Sequence, residues 1–289
     1  MKKNRLLIIV YIISIIALSS PIVIRESKAD VIPLDFAGAG NFLPEVNVPF
    51  NMTNASVTFN IDAHAYQSGF DITFRGNYTI FNPIASTNLT LAAPFSSKFK
   101  DLEISFLIKI DNNSIPFKVI EYTWENFSGS PWDQYMSGYY MDPRKFVMIN
   151  ATFPENDSIT IEYSFDAHIE NPANDGTFEI FYDVGTSRAW NGTITERVEF
   201  KVYGKRPDYY SSHNCTISDI EDGISYVWEW KNEIINADRV FISYSYFNPW
   251  SRLWPFIVFP SFFGGLILLM FIIRRRANRK ARRELYRPN

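Results

Sequence analysis

The chain has 289 residues, 46% of them hydrophobic and 20% charged, with 25 Phe, 16 Tyr and 7 Trp, an apolar mass that supports one or two packed domains and excludes wholesale disorder. Its formal charge of −3 hides a segregation: residues 30–273 carry 15 basic and 29 acidic groups, whereas residues 274–289 carry eight basic groups and one acid. The bulk of the chain therefore repels phosphate, which excludes a nucleic-acid partner, and the single cysteine, Cys215, excludes both an intrachain disulfide and a cysteine-rich metal cluster.

In chain order, Lys2, Lys3 and Arg5 precede an apolar run over 6–18, a polar break at Ser19-Ser20-Pro21 and a second short apolar patch ending at Ser27-Lys28-Ala29. This is the pattern of a secretory signal peptide over 1–29, with small residues at Ser27 and Ala29 placing cleavage after Ala29. Ala17 and Ser19 offer a second cleavage site, and an uncleaved signal anchor is the alternative. Either reading puts the following domain outside the membrane.

Beyond that segment, alternation of period two predicts strands: Val57, Phe59, Ile61, Ala63 and Ala65 face one way, with Thr58, Asn60, Asp62 and His64 opposite. The pattern recurs at Phe70, Ile72 and Phe74; at Leu102, Ile104, Phe106, Ile108 and Ile110; at Ile159, Ile161, Tyr163, Phe165, Ala167 and Ile169; at Val198, Phe200 and Val202; and at Val240, Ile242, Tyr244 and Tyr246. Turn signals at Gln67-Ser68-Gly69, Asp111-Asn112-Asn113, Asn174-Asp175-Gly176, Gly204-Lys205-Arg206-Pro207 and Glu221-Asp222-Gly223 separate these runs. About twelve strands exceed the need of one immunoglobulin-like sandwich. The expected fold is thus all-β, a tandem antiparallel β-sandwich of Ig-like type divided near Pro172, with a first sandwich over 30–170 and a second over 171–249. An echo of Asp62-Ala63-His64 at Asp166-Ala167-His168 raises duplication as one origin of such a tandem; chance identity leaves one larger sandwich.

The segment 122–146 breaks the alternation. There Trp124, Phe127, Trp132, Tyr135, Tyr139 and Tyr140 interleave with Gly129, Pro131, Gly138 and Pro143. A long aperiodic segment of this kind either folds back as a lid over the core or presents its rings to a sugar or a protein. Trp124, Trp132, Tyr135, Tyr139 and Tyr140 are the ligand-binding candidates under the second reading.

Residues 253–273 contain no charge, and 21 residues at ~1.5 Å rise span the ~30 Å hydrocarbon layer. A transmembrane helix is expected there, with Trp250 and Trp254 at its outer end and the basic tail 274–289 in the cytoplasm. Ser261 and Gly265 form a small-xxx-small pair that suits close helix approach. The tail's positive charge suits anionic headgroups as well as orientation of the anchor.

Between the two apolar segments lie ten Asn-Xaa-Ser/Thr acceptors, at Asn51, Asn54, Asn77, Asn88, Asn112, Asn126, Asn150, Asn156, Asn191 and Asn214. Chance pairing of the chain's Asn with its Ser and Thr gives about three. Ten, all on the outer side, point to a glycosylated ectodomain. In addition, Asn77-Tyr78-Thr79-Ile80-Phe81-Asn82 followed by Leu91-Ala92-Ala93-Pro94-Phe95, and Trp190-Asn191-Gly192-Thr193-Ile194 ahead of the Val198 strand, resemble runs in prokaryotic, archaeal-type membrane-anchored surface glycoproteins. The resemblance covers most of 42–248 and implies a β-sandwich ectodomain without implying a ligand.

Candidate chemistry is sparse. Asp62 with His64 and Asp166 with His168 each share a strand face and could orient an imidazole or give two of a metal's ligands, but no third ligand is indicated, so no metal and no cofactor are expected. His213 and Cys215 lie around the Asn214 acceptor, where a glycan would shield the thiol. No H-E-x-x-H, G-x-S-x-G or phosphate-binding glycine loop is present. Carboxylate pairs for glycoside hydrolysis would have to be found in space. The expected protein is a non-enzymatic, single-pass plasma-membrane glycoprotein with a structural, adhesive or ligand-binding role. Its expected partners are membrane lipid and other membrane proteins, envelope proteins or glycans. The alternative is an accessory subunit of a larger membrane enzyme or transporter.

Overall fold

Strands that alternate apolar and polar side chains bury one face each, and here they do so against one another. A computed structural model describes residues 34–100, 105–122, 132, 144–170, 176–246 and the helical positions 264, 265, 267, 269–276 and 279. The first sheet contains β1 (Leu34–Gly40), β2 (Leu43–Pro44), β5 (Thr87–Ser96), β8 (Lys118–Tyr122), β9 (Arg144–Phe153), β11 (Gly176–Asp183), β13 (Tyr209–Tyr210) and β16 (Val240–Tyr246). The second contains β3 (Asn51–Ala63), β4 (Gly69–Asn82), β6 (Leu107–Ile110), β7 (Asn113–Ser114), β10 (Asp157–Glu170), β12 (Ile194–Gly204), β14 (Cys215–Ile220) and β15 (Gly223–Glu233). Their orders are β13-β16-β11-β1-β5-β9-β8, with β2 on β5, and β14-β15-β12-β3-β4-β10-β6-β7.

Most of the described inward residues of the sequence pattern are buried: Val57, Phe59, Ile61 and Ala63 on β3, Ile159 to Ile169 in alternation on β10, and Ile242, Tyr244 and Tyr246 on β16; Ala65, which falls in the turn after β3, is exposed, and Ile110, at the end of β6, is half-buried. The two sheets meet ring to ring. Phe59 of β3 and Phe74 of β4 lie 6.2 and 6.4 Å from Tyr182 of β11, and Phe70 of β4 stacks on Phe178 at 5.8 Å. Each such buried aromatic contributes about 1.5–3 kcal/mol of transfer free energy, with edge and stacking preferences adding direction.

The all-β class is as expected, but the tandem antiparallel arrangement is not. β11 and β12, both beyond Pro172, pair in parallel with β1 and β3 from the first half of the chain. Each sheet is therefore mixed and draws strands from both sides of the expected boundary. The reason is edge burial: a strand placed beside β1 or β3 satisfies a row of backbone groups that a separate sandwich would leave open. Nor do the echoed Asp-Ala-His stretches occupy equivalent strands of two modules. They lie on β3 and β10, the two neighbours of β4 in one sheet.

Local turn chemistry follows the sequence. Asp111 and Asn112, at φ of 48° and 66°, form the two-residue link between Ile110 and Asn113; two left-handed residues are what a primed hairpin turn needs. Asp111 Oδ1 also accepts from the Thr160 amide at 2.9 Å, which ties this hairpin turn to β10. Asn174 and Asp175 lie outside the described residues.

Of the expected membrane span 253–273, residues 253–263, 266 and 268 lie outside the described residues. The remaining positions are helical. Among the described residues no helix is long and apolar enough to cross a membrane. The expected signal peptide, 1–29, also lies outside them.

Candidate functional site

The sequon asparagines are distributed with a bias. Of the nine within the described residues, Asn54, Asn88, Asn112, Asn150, Asn156, Asn191 and Asn214 are exposed and Asn51 and Asn77 half-exposed; Asn126 lies outside them. The asparagines buried in the core, Asn41 and Asn82, belong to no sequon. Two pairs of sequons face each other across antiparallel strands. On the first sheet Thr90 Oγ1 donates to Asn150 Oδ1 at 3.3 Å and Thr152 Oγ1 to Asn88 Oδ1 at 2.6 Å. On the second, Asn54 faces Thr79 and Ser56 faces Asn77. In the first pair the asparagine oxygens accept those bonds, so each Nδ2, the atom that would carry a sugar, takes no part in them.

Register gives these residues a height. Val57 marks the middle of the second sheet, level with Gly76, with Val198 and, through them, with Tyr163 and Trp228. All nine described sequon asparagines lie on the Asn51 side of that level. Asn77, opposite Ser56, and Asn214, one residue before Cys215, which faces Trp228, lie nearest that level. Asn88 and Asn150 lie near the same end of the first sheet, where Phe153 faces Thr87 and packs on Phe50 at 4.9 Å.

The opposite end, beyond Ala63, receives both ends of the sandwich chain. β1 begins at Leu34 opposite Thr177, and β16 finishes at Tyr246 opposite Gly176. Tyr246 Oη donates to the Tyr66 carbonyl at 2.6 Å, and the Tyr66 ring packs on Tyr244 and Tyr246 at 6.0 and 5.7 Å. The Lys205 ammonium lies 5.9 Å over the same ring. The last strand is thus clamped to the β3–β4 connection.

Charges at this end are compensated in pairs. His64 Nδ1 lies 2.7 Å from Asp62 Oδ1, and its Nε2 lies 3.5 Å from Asp222. The Asp62 hydrogen bond raises the His64 pKa, and the His64 backbone amide, with its ring, lowers that of Asp62. The expected Asp166–His168 pair does not form. Antiparallel pairing places Asp71 directly opposite His168, where its carboxylate takes Nδ1 at 2.6 Å, while Asp166 accepts from Thr73 at 2.7 Å. Lys100 pairs with Glu170, Lys205 with Asp208 and Arg206 with Asp219. Among the described residues no group of three His, Cys, Asp or Glu could hold a metal ion.

Trp132, one of the five aromatic candidates, is 1% exposed and stacks on Phe146 at 6.2 Å, as a lid over the core would. Trp124, Tyr135, Tyr139 and Tyr140 lie outside the described residues.

A polar cluster crosses the middle of the core. Asn41 Nδ2 donates to Glu196 Oε1 at 3.3 Å, Tyr182 Oη donates to Asn41 Oδ1, and the Tyr78 and Tyr182 hydroxyls lie 3.0 Å apart. Tyr163 Oη donates to the Gly40 carbonyl at 3.2 Å. Burial pushes the Glu196 carboxyl up to about 8, against the lowering bond from Asn41. Sequence reasoning does not single out Glu196, although Ile194, Glu196, Val198, Phe200 and Val202 form one alternating set. The cluster is enclosed by protein, so it joins the two sheets and cannot touch a ligand in solution.

Two surface clefts among the described residues have a sequon on their wall. One, of roughly 270 Å³, lies at the Asn51 end between Met52, Trp190, Ile194, Ile234, Arg188 and Asn191. The other, open and polar, of roughly 480 Å³, is lined by Asn214, Cys215, Thr216, Glu229 and Lys231 among others. Burial pushes the Cys215 thiol up to about 11, so it is a poor nucleophile.

No protein-family model matches the chain, and no curated protein matches it. Among solved structures, it is similar to a candidate nutrient-binding protein from Legionella pneumophila, with a TM-score of 0.55 at 14% identity over 72% of this chain and 71% of that one. An M1 zinc metallopeptidase from Deinococcus radiodurans matches at a TM-score of 0.33 and 8% identity over 68% of this chain and 42% of that one. The first likeness concerns the fold, and the second is too low to carry an argument.

Proposed function

We propose that the chain is a single-pass glycoprotein of the cell surface, with the sandwich outside, the basic tail 274–289 in the cytoplasm and a non-enzymatic role in binding or envelope structure. The observation that carries this reading is the sorting of asparagines. Among the described residues, the sequon asparagines are exposed or half-exposed and the buried ones, Asn41 and Asn82, lack sequons, as glycosylation of the folded state requires. The helical positions support the anchor: Leu269, Met270, Phe271, Ile272 and Ile273 are all exposed. Five consecutive apolar residues at about 100° each circle the helix, and lipid is a medium that stabilises such a helix. A ligand-binding role agrees with the apolar cleft beside Trp190 and with the nutrient-binding description of the Legionella neighbour.

The test is expression in a glycosylating host, followed by membrane flotation, alkaline extraction and intact mass before and after chemical deglycosylation. The expected result is a carbonate-resistant membrane protein whose mass falls by several glycans on treatment, together with release of a chain truncated after Tyr246 into the medium. Soluble full-length protein at the mass of the bare chain would sink the reading.

A further inference from the structure

The sequon distribution and the chain's exit point together say which end of the sandwich meets the membrane. Tyr246 is the last residue of β16, and it leaves from the Ala63 end, held there by its bond to the Tyr66 carbonyl and by the packed tyrosine rings. Only residues 247–252 separate it from the apolar segment that opens at Leu253. Fully extended, so short a connection reaches about 25 Å at most, whereas the 14 residues of β4 give the sandwich a height of about 45 Å. The Asn51 end therefore lies beyond the reach of the surface, and the Ala63 end lies within it.

That near end carries none of the nine described sequon asparagines, although its connections are polar and exposed. A glycan there would stand between the sandwich and the headgroups, whereas one at the Asn51 end projects into solvent. The paired charges fit the same setting. With Lys100, Lys205 and Arg206 each matched to a carboxylate, the end offers charges of both signs, which a zwitterionic headgroup layer complements.

We propose that the Ala63 end of the sandwich, comprising the His64 to Ser68 connection with Asp222, Lys100 and Glu170, rests on the headgroup layer of the membrane that holds the chain's own anchor, and that the glycans crown the far end. This rests on the membrane-anchored reading above. The tether makes the contact intramolecular, so even feeble headgroup affinity holds the orientation.

The experiment uses the full-length chain in nanodiscs of phosphatidylcholine doped with a lipid that carries a nitroxide on its headgroup. In a Cys215→Ser background, a fluorophore is attached at Gln67→Cys in the β3–β4 connection or at Glu155→Cys in the β9–β10 turn of the sequon end. The expected result is quenching at position 67 at least threefold stronger than at position 155. Equal quenching at the two sites, or stronger quenching at 155, overturns the proposal while leaving the anchor intact, and would give the sequon-free end to a protein partner. Failure of the chain to enter nanodiscs overturns the anchor reading and the proposal with it. Matching circular dichroism and unfolding midpoints for the two labelled chains keep a misfolded variant from passing as either outcome.

Discussion

At Glu196 burial and ionisation compete: the side chain is enclosed, Oε1 accepts one bond from Asn41, and Oε2 has no partner among the described residues. The acid therefore holds its proton up to about pH 8 in the folded state, whereas the unfolded chain releases it near ~4.3. Between those values the native state binds one more proton than the unfolded state, so this group makes stability fall as pH rises, by up to about 1.4 kcal/mol per unit, and the effect levels off above the folded pKa. Glu196→Gln should flatten that slope and be the more stable form at pH 8. Urea unfolding of both proteins at pH 5, 6.5 and 8 checks it, and parallel slopes would show that Glu196 is ionised when folded. The alternation along β12 is enough to put position 196 on the inward face. What the sequence could not display is the partner, since Asn41 lies 155 residues away, just after β1 of the opposite sheet, and meets Glu196 of β12 only where the two sheets pack. The same limit explains His168: strand periodicity puts Asp166 on its face, but only register reveals Asp71 directly opposite.

At the scale of elements, period two identifies which side chains point inward, as it does along β3, β10 and β16. It says nothing about neighbours, because any two amphipathic strands can share an edge. Pairing is decided by packing detail such as that at Gly76. Positions 76 and 78 of β4 both face inward, and the Tyr78 ring crosses the space a side chain at 76 would take, since a Cβ there would lie 2.5 Å from Tyr78 Oη and 2.7 Å from its ring. That route carries the Tyr78 hydroxyl to Tyr182 in the opposing sheet, 3.0 Å away. Gly76→Ala should therefore expel the phenol from its site and cost about 1–3 kcal/mol, the range for overpacking a closed core. Combining Gly76→Ala with Tyr78→Leu should cost less than the two changes summed, because the second removes the clash created by the first. Chemical denaturation of the three variants gives the cycle; strict additivity would mean that the ring and the methyl do not compete.

At the scale of the molecule, a tandem and an interleaved sandwich share the same list of strands and differ only in long-range pairing. Both sheets depend on contacts between the two halves of the chain: β1 and β11 make seven register pairs across more than 140 residues, and β3 and β12 make ten. Such pairings close long loops before they gain contacts, a cost that grows slowly with length but delays folding. A tandem arrangement predicts that a cut near Pro172 yields two independent domains. The observed topology predicts that it yields none, because 34–171 lacks the strands that cover β1 and β3, while 172–246 would expose both parallel partners and most of their inward faces. Each fragment expressed alone should lack a cooperative thermal transition and bind an apolar dye, and mixing the two should restore the transition of the intact sandwich. Cooperative unfolding by either fragment alone would return the two-domain reading. The same interdependence bears on the last strand: because β1 and β16 flank β11 in one sheet, a pull on Tyr246 is shared through β11 with β1 and, through the tyrosine clamp, with the β3–β4 connection. Load applied at Tyr246 is therefore shared by both sheets.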